Sequence, residues 1–364
     1  MEIYDNYSLK GLNTFGIDVQ ARRVVYLQGS TLDEPFRFRR DVEALLEGDF
    51  LKYPYMLIGE GSNMVFTKDY EGTVIKVGET AFHGGDDNNY KYLTVGARML
   101  TDEVVRLSVG YKYYGMENLS AIPGTIGAAV VQNVGAYGVE LKDLVETVEA
   151  VDLQSGEWRE FTCEECAFGY RTSLFKEVEE TKRRREKESE NTFIFQLSTY
   201  NSRPRWLIWR VKLRFAKEFR PVLTYKALAD ELQRRGIDEP SQQQVRDVVT
   251  ELRWSKLPRP EEHGSAGSFF KNPVVDEATA AALKTEYPDM PLYPGNKLSA
   301  GWLIDQCGWK GKTMGRAGVW PKQALVLYNA GGCTGAEVAA LAKAIRQDVK
   351  HKFGVALDPE AIII

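Results

Sequence analysis

The apolar run Tyr55-Met-Leu-Ile58 breaks directly into Gly59-Glu-Gly-Ser-Asn63. Two glycines there let main-chain amides approach an anion, and Ser62 and Asn63 add side-chain donors, as a pyrophosphate-binding turn requires. A plain hairpin turn uses the same residue types. A second stretch, Ala121-Ile-Pro-Gly-Thr-Ile-Gly-Ala-Ala129 followed by Gln132-Asn-Val-Gly-Ala-Tyr-Gly138, places small residues where a flat ring or a phosphate can lie against the main chain. Neither stretch ends in Gly-Lys-Ser or Gly-Lys-Thr. Neither has the Gly-x-Gly-x-x-Gly spacing of a strand, tight turn and helix followed by a ribose-binding acid. A dinucleotide on this chain is therefore held by an architecture other than a P-loop or a Rossmann turn.

At 364 residues the chain exceeds one core of about 100–200 residues, so two or three domains are expected. Hydrophobic residues at 43% and charged residues at 27% exclude disorder over the whole length. Forty-seven basic against 51 acidic side chains leave a formal charge of −4, which gives no electrostatic footprint for nucleic acid or anionic lipid. Residues 1–10 lack the basic segment and apolar run of a secretory signal, and no stretch reaches the ~18 apolar residues of a membrane span. The chain reads as soluble and cytoplasmic. Four cysteines agree with a reducing compartment. Cys163 and Cys166 form a Cys-x-x-Cys pair, but with three histidines in all there is no second half for a zinc site, so they read as ordinary thiols and no metal is expected.

Up to about residue 220, strand-like runs (55–58, 73–77 and 206–213) alternate with glycine-rich turns. Two helices interrupt them, one after Ser30 or Thr31 and one capped by Thr101 with Val104, Val105 and Leu107 inward. After Pro221 the texture turns helical. Ser241 with Gln244 forms a capping box ahead of Val245, Val248, Val249 and Leu252, which predicts an amphipathic helix over 241–253. Thr334 with Glu337 repeats the device before Val338, Leu341, Ile345 and Val349, Gly354 stops that helix, and residues 355–364 read as an extended tail. The segment 177–190 is almost wholly charged with both signs and reads as a solvated insertion.

Three polar segments have the residue types of a catalytic site. Phe168-Gly-Tyr-Arg171 offers a guanidinium whose planar fork suits a carboxylate, although a structural ion pair uses arginine equally. Gly264-Ser-Ala-Gly-Ser-Phe-Phe-Lys-Asn-Pro273 puts Ser268 on a glycine-flanked turn, without the Gly-x-Ser-x-Gly spacing of a nucleophile elbow. Leu357-Asp-Pro-Glu360 lies in the tail, where Glu360 is functional only if the tail folds back into a cleft.

Gly59-Glu-Gly-Ser-Asn63, Glu117-Asn-Leu-Ser-Ala-Ile-Pro-Gly124, Asn133-Val-Gly-Ala-Tyr-Gly138, Phe168-Gly-Tyr-Arg171, Gly267-Ser-Phe-Phe-Lys-Asn-Pro273 and Leu357-Asp-Pro-Glu360 occur in this order. With them the chain resembles the UDP-N-acetylenolpyruvoylglucosamine reductases, from Asn13-Thr-Phe-Gly16 to Glu360. Tyr225 in Val222-Leu-Thr-Tyr225, with Lys256-Leu-Pro258, resembles the type with an extra substrate-covering tyrosine loop. The resemblance implies an α+β chain with a non-Rossmann, vanillyl-alcohol-oxidase (PCMH)-type FAD-binding fold in two subdomains, 1–70 and 71–220, the second carrying an insertion at 177–205. A C-terminal α+β substrate-binding domain, 221–354, and a tail, 355–364, returning to the active site would follow.

It implies non-covalent FAD on Gly59, Glu60, Gly61, Ser62, Asn63, Ile122, Pro123, Gly124, Gly127, Gly135, Ala136, Tyr137 and Gly138, with NADPH as co-substrate. Arg171, Ser268 and Glu360 would be catalytic; Tyr170, Tyr225, Lys256, Asn272 and Gln323 would contact the substrate, UDP-N-acetylglucosamine enolpyruvate. The implied reaction, a step of peptidoglycan precursor synthesis, passes hydride from reduced FAD to the vinyl carbon and a proton from Ser268 to its neighbour, with charge stabilised by Arg171 and Glu360. A monomer is expected, with no nucleic-acid or membrane partner. The insertion is longer than the family pattern, and Ile362 stands where relatives often carry a basic residue, a missing anchor that would loosen the tail. Two rival readings are an FAD-dependent sugar or alcohol oxidase of the same fold superfamily, with His83 as a flavin tether, and a non-catalytic binding protein.

Overall fold

The computed structural model describes residues 1–31, 33–176 and 203–364. Of the insertion expected at 177–205, residues 177–202 lie outside the described residues. At its end Arg203 donates to the Lys52 carbonyl at 2.9 Å and Arg205 pairs with Asp152 at 2.8 Å.

The run Tyr55–Ile58 is a strand, but no hairpin follows it. It lies parallel to Tyr70–Gly78, which lies parallel to Gln20–Gln28, and Glu2–Ser8 closes this four-stranded sheet antiparallel. Parallel neighbours need a crossover, and the helix Arg37–Glu47 provides it by burying Phe38, Val42 and Leu45. This helix starts later than Thr31, because the Thr31 hydroxyl accepts the Glu34 N–H at 3.1 Å and Thr31 N–H donates to the Glu34 carbonyl at 3.2 Å, which closes a turn instead. The same helix is covered on its other side by a five-stranded antiparallel sheet, ordered Trp158–Thr162, Val145–Asp152, Trp206–Ala216, Tyr90–Gly96, Phe82–Asp86. Phe38 stacks on Trp209 at 6.0 Å between these layers.

Thr101 does not cap the helix Thr101–Gly110; Leu100 stands at the cap, and the Thr101 hydroxyl donates instead to the Gly124 carbonyl at 3.1 Å. Val104 and Val105 are buried as expected, while Leu107 packs at the edge. The capping box of Ser241 and Gln244 is formed in both directions and starts the helix Gln242–Lys256. With Lys226–Arg234 this helix encloses a small core of Leu228, Leu232, Val245, Val248 and Val249. A polar stripe docks it on the preceding lobe: Gln242 donates to the Tyr113 carbonyl at 2.7 Å, and Arg246 grips both Asp102 oxygens at 2.7 and 2.9 Å.

The last part of the chain carries a second four-stranded sheet, from Ser265–Ser268 to Thr313–Met314, and the long helix Gly335–Phe353, started by the Thr334–Glu337 box and ended at Gly354, φ 70°. Val338, Leu341 and Ile345 of that helix share one core with Val24 and Met56 of the first sheet and with Phe66. The tail is extended, as expected, and ordered by pairing: Ile362–Ile363 lies parallel to Met64–Val65, and the Thr67 N–H donates to the Ile364 carbonyl at 2.7 Å. The anchor at Ile362 is thus main-chain pairing and apolar packing, which require no basic side chain. Among the described residues no helix is long and apolar enough to cross a membrane.

Ile363 is 3% exposed in this core. Ile363→Ala is expected to cost about 2–4 kcal/mol in urea unfolding; a loss below ~1 kcal/mol would show that the tail strand is dispensable to the core.

Candidate active site

A cleft of about 740 Å³ opens where the first two lobes, the helix pair and the last domain meet. The loop after Tyr55–Ile58 forms one rim. Gly61 has φ 61°, and a side chain there would run into the Leu12 carbonyl, so this turn requires glycine. Ser62 faces the cleft and donates weakly to the Pro123 carbonyl at 3.4 Å. Asn63 reaches across to the tail, its amide donating to the Glu360 carbonyl at 3.1 Å while its own carbonyl accepts the Ile362 N–H at 2.8 Å. Glu60 is paired with Lys76 at 3.2 Å and lines a second cavity of about 390 Å³, which meets the first at Thr14 and Pro260.

Pro123 lines the cleft. Ile122 packs against the neighbouring lobe's core, Gly124 offers its carbonyl to Thr101, and Gly127 sits in the helix Ile126–Gln132 with its N–H on the Ala97 carbonyl at 3.0 Å. Gly59 packs against Thr125, so the two glycine-rich stretches touch. Gly135, Ala136, Tyr137 and Gly138 form a two-residue hairpin turn along the wall, with φ 48° at Tyr137 and 90° at Gly138, the pattern of a type I′ turn.

Arg171 and Glu360, far apart in the chain, meet with Nε to Oε1 at 2.8 Å. The Nε atom is buried, and the contact is a close ion pair. A second nitrogen of the fork reaches the Gly135 carbonyl at 3.4 Å. Ser268 ends the strand Ser265–Ser268 at a bulge with Gly267 at φ 67°, and lines the same cleft as Arg171. The Glu360 N–H donates to the carbonyl of Phe269, the next residue, at 2.8 Å. The structure therefore brings Arg171, Ser268 and Glu360 together. Burial pushes the Glu360 carboxyl above its ordinary range, against the pull of Arg171, Lys176 and Lys271.

Tyr170, Tyr225, Lys256 and Gln323 line the cleft too. The Tyr170 ring carries the Lys297 ammonium at 4.3 Å, and burial raises its phenol. Tyr225 stands edge-on to Tyr137 at 4.9 Å. Asn272 holds the first turn of the helix Ala300–Gln306 by accepting the Ala300 N–H at 3.0 Å. His83 lies on the exposed edge strand Phe82–Asp86, paired with Thr94, and is not among the cleft residues. Cys163 and Cys166 are both free, and burial lifts the Cys166 thiol to about 12. Sequence reasoning missed Arg253, which lines the cleft and donates to the Ala121 carbonyl at 3.2 Å, and Lys176, which touches Arg171. A heptad step from Arg246 to Arg253 on the helix's polar stripe was the available signal for the first.

Residues 259–364 match the family of the UDP-N-acetylenolpyruvoylglucosamine reductase C-terminal domain, and residues 43–162 match the FAD binding domain family. UDP-N-acetylenolpyruvoylglucosamine reductases of Pseudomonas aeruginosa and an Azoarcus species are 42% and 40% identical to the chain, over 99% and 100% of it and 98% of each relative. The chain belongs to the UDP-N-acetylenolpyruvoylglucosamine reductase family. It is an oxidoreductase with an FAD-binding domain. The crystal structure of the Thermus caldophilus reductase superposes with a TM-score of 0.63 at 23% identity, covering 100% of this chain and 98% of that one. That likeness fixes the fold: the vanillyl-alcohol-oxidase-type FAD-binding fold with a C-terminal α+β domain. FAD fits what this reductase offers, because the wall built by Ser62, Pro123 and the Gly135–Ala136 hairpin strand is free of long side chains, and a second cavity shares Thr14 and Pro260 with the cleft.

Because the folded-state carboxyl of Glu360 titrates above the ordinary 4.5, its contribution favours folding at low pH and is lost as pH rises through the raised value. The stability of wild type relative to Glu360→Gln is therefore expected to decline as pH rises above the ordinary 4.5 in parallel denaturation series; a rising difference would show the opposite shift.

Proposed function

We propose that this reductase converts the enolpyruvyl ether of UDP-N-acetylglucosamine to UDP-N-acetylmuramate, a step in peptidoglycan precursor synthesis, with NADPH as electron donor. The observation that carries this reading is that Arg171 and Ser268 line one cleft while Glu360 meets Arg171 at 2.8 Å. FAD, held by the 59–63 loop and the 121–124 and 135–138 stretches, supplies the two-electron chemistry when bound.

The substrate's double bond is conjugated to a carboxylate, so reduction at the terminal carbon builds negative charge on its neighbour and on the carboxylate. Arg171 meets that carboxylate with a planar cation. Glu360, whose carboxyl burial raises above its ordinary range, donates a hydrogen bond to the same charge in its protonated form. Ser268 gives the proton that completes the carbon, and because a serine hydroxyl is a weak acid, Lys271 or a water assists its loss. Tyr170, Asn272, Gln323, Lys256 and Tyr225 hold the sugar nucleotide, with the Lys256 ammonium suited to its diphosphate and Tyr225 closing over it. The reading divides the chain into FAD-binding parts 1–70 and 71–220, a substrate-binding domain 221–354 and the tail 355–364. It takes the enzyme to be a cytoplasmic monomer in which NADPH and the sugar nucleotide use the cleft in turn.

The purified protein is expected to be yellow, to release its flavin on acid precipitation, and to oxidise NADPH when the UDP-sugar enol ether is added; absence of that dependence would sink the assignment. Ser268→Ala is expected to leave flavin reduction by NADPH nearly intact while product formation falls by ~10²-fold or more. An equal loss of both half-reactions would refute the role given to Ser268. Arg171→Lys is expected to lower product formation at least ~10-fold, since a point charge lacks the fork.

A further inference from the structure

Lys176 ends the short helix Leu174–Lys176, and its ammonium sits 2.7 Å from the Gln132 side-chain oxygen and 2.8 Å from the Arg171 carbonyl. Gln132 is itself the last residue of the helix Ile126–Gln132, so the clamp ties the Arg171 turn to a fixed element. That turn needs a tie. Arg171 holds φ 56°, the left-handed region that costs a branched-out L-residue about 1 kcal/mol or more, and it does so between the bridged residues Gly169 and Thr172.

The surroundings of the ammonium are a poor place for a charge kept merely to fill space. Facing it among the described residues are Arg171 from the turn, Lys271 from the segment after Ser268, and Glu360 from the tail: two cations and one carboxylate. A methionine would occupy the same volume without desolvating a cation beside two others. We propose that Lys176 is a positioning residue for the reduction: it clamps the Arg171 main chain against Gln132, and so aims the guanidinium that meets Glu360 and faces the substrate carboxylate. This rests on the roles given above to Arg171 and Glu360.

Burial first, then Lys271, pushes the Lys176 ammonium down to about 8, so its charge is lost just above neutrality and the clamp loosens there. Two variants separate positioning from packing. Lys176→Met removes the charge and the donors at similar volume. Lys176→Arg keeps both. Lys176→Met is expected to lower kcat for product formation ~10-fold or more, with KM for the UDP-sugar enol ether and the rate of flavin reduction by NADPH within about threefold of wild type, and to abolish the alkaline fall in kcat near pH 8. Lys176→Arg is expected to recover most of kcat and to move that fall to higher pH. Wild-type kcat in Lys176→Met, or an equal loss of both half-reactions together with a lowered melting temperature, would overturn the proposal. A crystal structure of Lys176→Met gives a readout free of turnover. An Arg171 that leaves the left-handed region, or whose Nε moves beyond 2.8 Å from Glu360, supports the clamp; an unmoved pair refutes it. If wild type shows no oxidation of NADPH dependent on the UDP-sugar, the functional reading fails by itself while the clamp is still judged by that structure.

Discussion

The site depends on a two-residue strand. A glutamate close to a chain terminus is ordinarily solvated and disordered in position, and Glu360 escapes this because Ile362–Ile363 pairs with Met64–Val65 directly behind the glycine-rich loop. On the inner side of the tail the Glu360 N–H meets the Phe269 carbonyl, and the Lys271 N–H meets the Asp358 carbonyl at 2.9 Å. One short segment thereby stitches together the 59–63 loop, the strand ending at Ser268 and the carboxylate. The apolar side chains around it belong to a core shared by the first sheet and the last helix, so the alignment of the site and the joining of the two ends of the chain are one event.

Electrostatics then set what the stitched residues can do. Arg171, Lys176 and Lys271 all pull Glu360 toward ionisation, and burial still prevails. A carboxyl raised in this way keeps its proton, and its capacity to donate a hydrogen bond, to higher pH than a solvated glutamate does. The same burial weakens the hold of Lys176 on its proton. Glu360 and Lys176 thus have displaced equilibria around Arg171, the arrangement expected where negative charge must be accommodated only briefly.

A second set of polar contacts holds the wall of the cleft at residues 121–124. Ala121 is itself left-handed at φ 57°; its N–H donates to Asp102 at 2.6 Å and its carbonyl accepts from Arg253. Asp102 is in turn gripped by Arg246, so the helix Gln242–Lys256 braces the start of the 121–124 stretch as well as contributing Lys256 to the cleft. The helix pair that carries Tyr225 is therefore mechanically continuous with the FAD-binding part of the fold.

Local chemistry was readable from the chain. The capping boxes at Ser241 and Thr334, the strand at Tyr55–Ile58 and the stop at Gly354 depend on residues within a few positions of one another, so their spacing alone specified them. The motif order pointed to the reductase family, and it named Arg171, Ser268 and Glu360 before their geometry was known. Hydroxyl partners were not readable: Thr101 turned to Gly124 and Thr31 to Glu34 because a competing acceptor or donor lay nearer than a helix start. Parallel pairing of Tyr55–Ile58 was hidden as well, since its partners are brought alongside only by the crossover helix.

The sequence by itself determined which residue types were available and which short segments were helix, strand or glycine turn, because those choices are made by neighbours along the chain. Only the tertiary structure decided that the tail meets Arg171, that Glu360 is desolvated beside three cations, that Lys176 touches Arg171 and that Arg253 lines the cleft. A displaced proton equilibrium is a property of the surrounding medium and charges, and these are assembled from segments separated by hundreds of residues.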